Sequence, residues 1–224
     1  MRSIRSRRCC LVATCILLLA ASAEANLITN GSFENENGFV PDAFSTMILN
    51  LGSTTMTGWT VSADQLAWIH VGTVWGLSAQ DGNYFLDLTA YPAGPPFGAV
   101  TQSIATVPGQ QYLLSFELGS YTQRWGGPPV SITASAGATS QTFTVSTTST
   151  ASTWTPFAML FTASSANTTV SLVGAAGFEY IGLDNVNVDL ASEEPVPEPG
   201  TSVLCLAGFG LLVLKNRMRR ARRG

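Results

Sequence analysis

The stretch QYLLSFEL, residues 111 to 118, decides the fold. Tyr112, Leu114, Phe116 and Leu118 fall on one face of an extended chain, while Gln111, Ser115 and Glu117 fall on the other. Alternation with a period of two marks a strand with one buried side. Val107-Pro108-Gly109-Gln110 before it reads as a tight turn, with proline second and glycine third. Outward from this strand, further segments rich in Thr, Ser and Val alternate with turn residues about every ten positions. They predict strands over 59–62, 66–71, 84–88, 99–105, 130–135, 141–145, 155–161, 169–173 and 183–190. Asp81-Gly82-Asn83 is a turn into Tyr84, and the Ser/Thr run 146–153 is a polar loop or edge. With no helical period and no internal repeat, the middle of the chain is expected to be all-β, a single antiparallel β-sandwich.

The ends differ in kind. Arg2, Arg5, Arg7 and Arg8 precede an apolar run from Cys9 to Ala21, followed by Ala23-Glu24-Ala25. A basic start, a short apolar core and an A-x-A site make a secretory signal peptide over 1–25, with the mature chain expected to begin at Asn26. At the other end, Val196-Pro197-Glu198-Pro199 leads into the apolar residues 201–214 and then Lys215, Arg217, Arg219, Arg220, Arg222 and Arg223. Fourteen residues are short for a stable span, which needs about 20. Residues 193–224 are therefore expected to be a hydrophobic sorting helix rather than part of the domain at 26–192.

Without its ends the chain changes character. One arginine, Arg124, against ten acids leaves residues 26–192 at a net charge of −9, compared with −3 for the whole sequence. A lysine-free, acidic domain has no means of holding phosphates, which argues against nucleic acid as a partner. All four cysteines, Cys9, Cys10, Cys15 and Cys205, lie in the end segments. Neither a disulfide framework nor a thiolate metal site is then expected of the domain.

One acid points in a costly direction. If period two holds through 183–190, Asp184 shares the face of Val186, Val188 and Leu190. A carboxylate on an apolar face costs several kcal/mol unless paired, roughly 3–5 by the cost of an uncompensated buried charge. Two solutions are open. Ca2+ takes oxygen ligands, with Glu34 and Asp81 as co-ligands beside Asn83. Alternatively, Asp184 caps a turn and accepts backbone amides.

The catalytic inventory is thin: one histidine, His70, no nucleophile–base order and no glycine-rich phosphate loop. Two carboxylates could still run a glycosidase, but only Glu117 stands out, on the solvent face of its strand. Aromatic side chains suggest sugar stacking instead. Trp68, His70 and Trp75 are close in sequence, and Tyr91 and Trp125 lie in Gly/Pro-rich loops with Arg124 as a polar companion. The competing reading of each is packing, which Trp59 and Trp154 already suggest for themselves. A binder should gather several of these rings at an exposed groove. A structural module should bury or scatter them.

An ordered set of segments resembles the choice-of-anchor C family of bacterial secreted proteins, within the galactose-binding-like jelly-roll superfamily. The set is NLITNGSFE at 26–34, TGWT at 57–60, DGNYFLDL at 81–88, TQS at 101–103 with VPGQ at 107–110, and LDNV at 183–186. The resemblance implies two packed antiparallel sheets and a structural Ca2+ joining the first and last strands, with Glu34 and Asp184 at the matching positions. The tail resembles a PEP-CTERM sorting signal: Val196, Pro197, Glu198, Pro199, an apolar segment and a basic terminus, in order. That implies export by a Gram-negative bacterium, transient anchorage in the inner membrane with the arginines inside, and recognition by an exosortase. The expected role is an exported cell-surface or matrix protein, non-catalytic, with affinity for extracellular polysaccharide. The alternatives are a purely structural matrix protein and, behind it, a glycoside-acting enzyme.

Overall fold

The computed structural model describes residues 26–70, 77–121, 129–146, 153–178 and 180–191. They form eleven strands and no helix. In chain order these are β1 (Thr46–Asn50), β2 (Thr60–Ala63), β3 (Gln65–His70), β4 (Tyr84–Asp87), β5 (Ala99–Ala105) and β6 (Gln111–Ser120). They continue as β7 (Val130–Ala136), β8 (Thr139–Val145), β9 (Thr153–Thr162), β10 (Asn167–Ala176) and β11 (Gly182–Leu190). One sheet has six strands in the order β1-β3-β4-β11-β6-β9, the other five in the order β2-β5-β10-β7-β8, and the pairings among the described strands are antiparallel. The expected β-sandwich is the fold.

The deciding strand behaves as its pattern requires. On β6, Tyr112, Leu114, Phe116 and Leu118 are buried in the main core and Gln111 and Leu113 are exposed. Facing side chains come from Val100 and Ile104 of β5, Val170 and Leu172 of β10, and Val130, Ile132 and Ala134 of β7. Alternation on both sheets therefore closes one dry layer between them.

Three local features depart from the sequence expectation. β1 was not foreseen, because TMILN has only five residues and its burial pattern does not alternate cleanly. The N-terminal segment, which the family resemblance assigns to the first strand, is irregular, yet it still rides on β11: the amide of Leu27 donates to Val188 O at 2.8 Å, and Val186 donates to Gly31 O at 2.9 Å. A Cβ at position 31 would lie 1.9 Å from Val186 O, so only glycine fits that approach.

The third departure corrects the reading of Asp184. The β11–β6 register shifts between Asp184 and Asn187, and Asn185 between them has φ of +49°. Such a bulge moves one residue out of phase. Leu183 therefore joins Val186 and Val188 in the core, while Asp184 pairs with Glu117 on the outer face. Asp184 is nevertheless fully buried, because the chain around residues 77–81 lies over it.

That outer face carries a second, smaller apolar cluster made of Ala67, Ile69, Leu77, Phe85, Ala90 and Tyr180. It is closed partly by Trp154, which is half-buried and stands edge-on to Phe85 with centroids 5.9 Å apart. Loops folded back over one half of the six-stranded sheet thus make its outside a second packed layer. Among the described residues no helix is long and apolar enough to cross a membrane. The signal and sorting segments expected at 1–25 and 193–224 lie outside the described residues.

Candidate functional site

Two of the carboxylates expected to bind metal, Glu34 and Asp184, reach the turn before β4, on which the third, Asp81, lies. Glu34 Oε1 accepts the amides of Asn83 and Tyr84, each at 2.7 Å. Asp184 Oδ2 accepts those of Gln80 and Asp81 at 2.9 and 3.0 Å, and its Oδ1 accepts the amide of Asn185 at 2.7 Å. Gly82, at φ +64°, leaves room for Glu34, since a Cβ there would sit 2.4 Å from the carboxylate carbon. The two acids clamp 80–84 onto the end of the sandwich through backbone N–H groups, the arrangement of the capping alternative. Burial pushes the Asp184 carboxyl up to about 7, against the pull of its three amides, and neighbouring Asp81 adds to the rise. Among the described residues no three His, Cys, Asp or Glu side chains gather as metal ligands would. As it stands the corner is a backbone clamp, not a cage.

The expected aromatic site is divided. Trp68 is fully buried and its indole N–H donates to Phe33 O at 3.2 Å. Trp59, also buried, donates likewise to Asn30 O at 2.9 Å. Both tryptophans hold the N-terminal segment where Asn30 and Phe33 adopt left-handed backbone, φ +56° and +61°. Trp68 is therefore a packing residue, and the expectation that it offers a face to sugar is corrected: Cβ alternation on β3 aims it into the sandwich. His70 is half-buried at the end of β3, edge-on to Tyr84 with centroids 4.8 Å apart. Tyr84 in turn donates its hydroxyl to Glu36 at 2.6 Å, and burial followed by that bond pushes its phenol up to about 12.

Tyr91 is different. Its side chain is 54 % exposed, and its hydroxyl donates to Asp42. Asp42 Oδ1 accepts the amides of Phe44 at 2.8 Å and Thr46 at 3.2 Å, the turn that starts β1. Phe44 is itself 47 % exposed. One carboxylate thus anchors the loop bearing each of two exposed rings. The bond from Tyr91 holds the Asp42 carboxyl below its ordinary range; the cost of burial opposes it, and the amides of Phe44 and Thr46 add to the lowering. Three left-handed non-glycine residues shape the corner: Ser45, Ala90 and Ala93, at φ +59°, +49° and +54°.

Asp87 supports this corner from below. It is buried, accepts the Thr89 amide and hydroxyl at 3.0 and 2.9 Å, and accepts the Ile181 amide at 3.0 Å. Burial pushes its carboxyl up to about 7. Asp42 and Phe44 escaped the sequence reading because neither ring nor acid there follows a strand period. The one available signal was Pro41-Asp42-Ala43-Phe44-Ser45, a turn with an apolar ring that no alternation buries. Trp75, Arg124 and Trp125 lie outside the described residues, as do Val196, Pro197, Glu198 and Pro199. Glu117 and Asp184 are register partners, but with Asp184 sealed they do not flank an open cleft as a glycosidase pair would.

Residues 26–179 match the family described as "Protein of unknown function (DUF642)". The chain belongs to that family. Residues 195–223 match the PEP-CTERM protein-sorting motif, so the DUF642 domain is followed by a sorting signal of the kind its tail resembles. A curated relative, halomucin of Haloquadratum walsbyi, is 28% identical over 192 residues. The match takes in 82% of this chain but 2% of halomucin, so the chain spans a small part of that relative's length.

Among solved structures, TmCBM61 in complex with β-1,4-galactotriose is 15% identical, with 75% of this chain and 100% of that chain covered at a TM-score of 0.44. A family 16 carbohydrate-binding module gives 16%, 73%, 99% and 0.43 in the same terms. A family 35 module from Clostridium thermocellum gives 12%, 65%, 92% and 0.39. At such identities these likenesses do not bear on what the DUF642 domain binds.

Proposed function

We propose that the DUF642 domain is the carbohydrate-binding, non-catalytic part of an exported protein sorted by an exosortase, and that it contacts sugar at the Asp42–Phe44–Tyr91 corner. The observation that carries this is the corner itself: two exposed rings whose loops are pinned to one ionised carboxylate. Sugar recognition combines ring stacking on C–H faces with a few fixed polar groups. Fixing both loops before the ligand arrives lowers the entropy cost of binding. The reading places the protein at the cell surface or in the extracellular matrix of a Gram-negative bacterium, after transient anchorage in the inner membrane. Membership of the choice-of-anchor C group, extracellular polysaccharide as partner, and Trp75 and Trp125 as further contacts belong to the same proposal.

The test is a glycan array probed with the exported protein and with its Phe44→Ala and Tyr91→Ala forms. Binding by the wild type that falls about tenfold or more in both variants, the loss of about 1.4 kcal/mol, with unchanged melting, supports the reading. An array silent for all three forms leaves the purely structural matrix protein as the better account.

A structural Ca2+ at Glu34, Asp81 and Asp184 is a second part of the proposal. The like charge of Asp81 beside buried Asp184 favours it, and the amides already on Glu34 and Asp184 compete with it. Melting with EDTA and then with excess Ca2+ decides. Calcium at 100 times its dissociation constant should add about 2.7 kcal/mol, an effect absent from Asp184→Ala. Identical melts would leave the amide clamp sufficient.

A further inference from the structure

The rings at this corner account for stacking, but the carboxylate between them is an additional chemical fact. Asp42 is exposed, and its ionised form is favoured by three hydrogen bonds. Among the described residues there is no lysine and no arginine at all. We propose, building on the corner as the sugar site, that its ligand is an amine-bearing glycan, a polymer containing free amino sugars, and that uronate, sulfate or phosphate polymers are rejected.

An ammonium group meets both elements of the corner. It forms a charge-assisted hydrogen bond with a carboxylate, and it is attracted to the face of an aromatic ring within about 6 Å of the centroid. An acidic sugar meets the opposite: a carboxylate at the contact point, and no described cation to offset it. Charge on the larger scale points the same way. The strands β2, β5, β7, β8 and β10 contain no charged residue. The acids that reach the surface lie instead on the six-stranded sheet and in loops, among them Glu34, Glu36, Asp42, Asp81, Glu117 and Asp189. A cationic polymer is therefore steered toward the side that carries the corner.

The corner is also built for one shape. Ala90 precedes Tyr91 with φ of +49°, and Ser45 follows Phe44 with φ of +59°. Left-handed backbone is unfavourable at such residues, and strain of this kind collects at binding sites. Asp87 and its bonds to Thr89 hold the loop root from which Tyr91 projects.

The experiment uses the exported protein and three soluble probes: a glucosamine oligomer, the same oligomer N-acetylated, and a uronate oligomer. Calorimetry at low salt should give about fivefold tighter binding to the amine than to the acetylated form, the size of an exposed ion pair near 1 kcal/mol. No heat should be seen with uronate, and the preference should shrink at high salt. Asp42→Asn should bring the amine down to the affinity of the acetylated oligomer. Asp189→Asn, which removes the same charge elsewhere on the sheet, should leave the preference in place. Equal binding of the first two oligomers by wild type would overturn this inference and keep the sugar site. Equal loss in Asp42→Asn and Asp189→Asn would also overturn it, by assigning the attraction to net charge alone. Failure of all three probes, together with a silent array, would overturn both readings.

Discussion

Asp87 is buried and accepts hydrogen bonds from Thr89 and Ile181, and burial pushes its carboxyl up to about 7, where an unfolded aspartate titrates at about 3.9. The folded chain therefore holds this proton more tightly than the unfolded one. Stability from this source is fully present below about pH 4 and is lost as pH rises to about 7; Asp184 acts in the same direction. The domain should melt higher at pH 5 than at pH 8, by several degrees if each kcal/mol is worth about 2–4 °C. Asp87→Asn keeps the acceptor for Thr89 and Ile181 but cannot ionise. It should raise the melting temperature at pH 8 and flatten the profile, as scanning calorimetry at the two pH values would read; an unchanged profile would count against the assignment. Residue type alone did not distinguish this acid. Asp87 lies in DGNYFLDL beside Asp81, and only the loop covering it made one buried and the other a turn residue.

At the scale of elements, nearly every strand was legible. β5 falls at 99–105, as expected, and β6 extends the expected 111–118 by two residues. Both read well because each buries one face, so backbone geometry writes itself into the pattern. β1 did not, being short and lying at the sheet edge, where β3 and the overlying loops decide burial. On β11 the period-two argument failed at one position. Asn185 in left-handed backbone inserts the bulge, and Asn is among the residues that tolerate that conformation. Asp184 was correctly singled out as a carboxylate needing partners, but the partners are the amides of Gln80, Asp81 and Asn185, and it faces outward. Tyr91 was found from loop composition, whereas Asp42 and Phe44 required the folded loop to be seen beside it.

For the molecule as a whole, the tail and the domain make separate demands. The sorting motif at 195–223 should be processed during export. Intact-mass measurement of the surface form should therefore find a chain ending near residues 197–200, and an intact arginine tail on secreted protein would sink the sorting reading. The distribution of charge, neutral on one sheet and acidic on the other side, combines what composition and topology each supply. The sequence by itself determined the all-β sandwich, the acidic cation-poor domain and the C-terminal sorting motif, because alternation, net charge and contiguous motifs are local or additive quantities. Only the tertiary structure decided that Trp68 packs inside, that Asp184 clamps a turn, and that Asp42, Phe44 and Tyr91 share one corner. Those facts depend on loops distant in sequence folding over the same sheet, and no local period records which loop will come to lie on which strand.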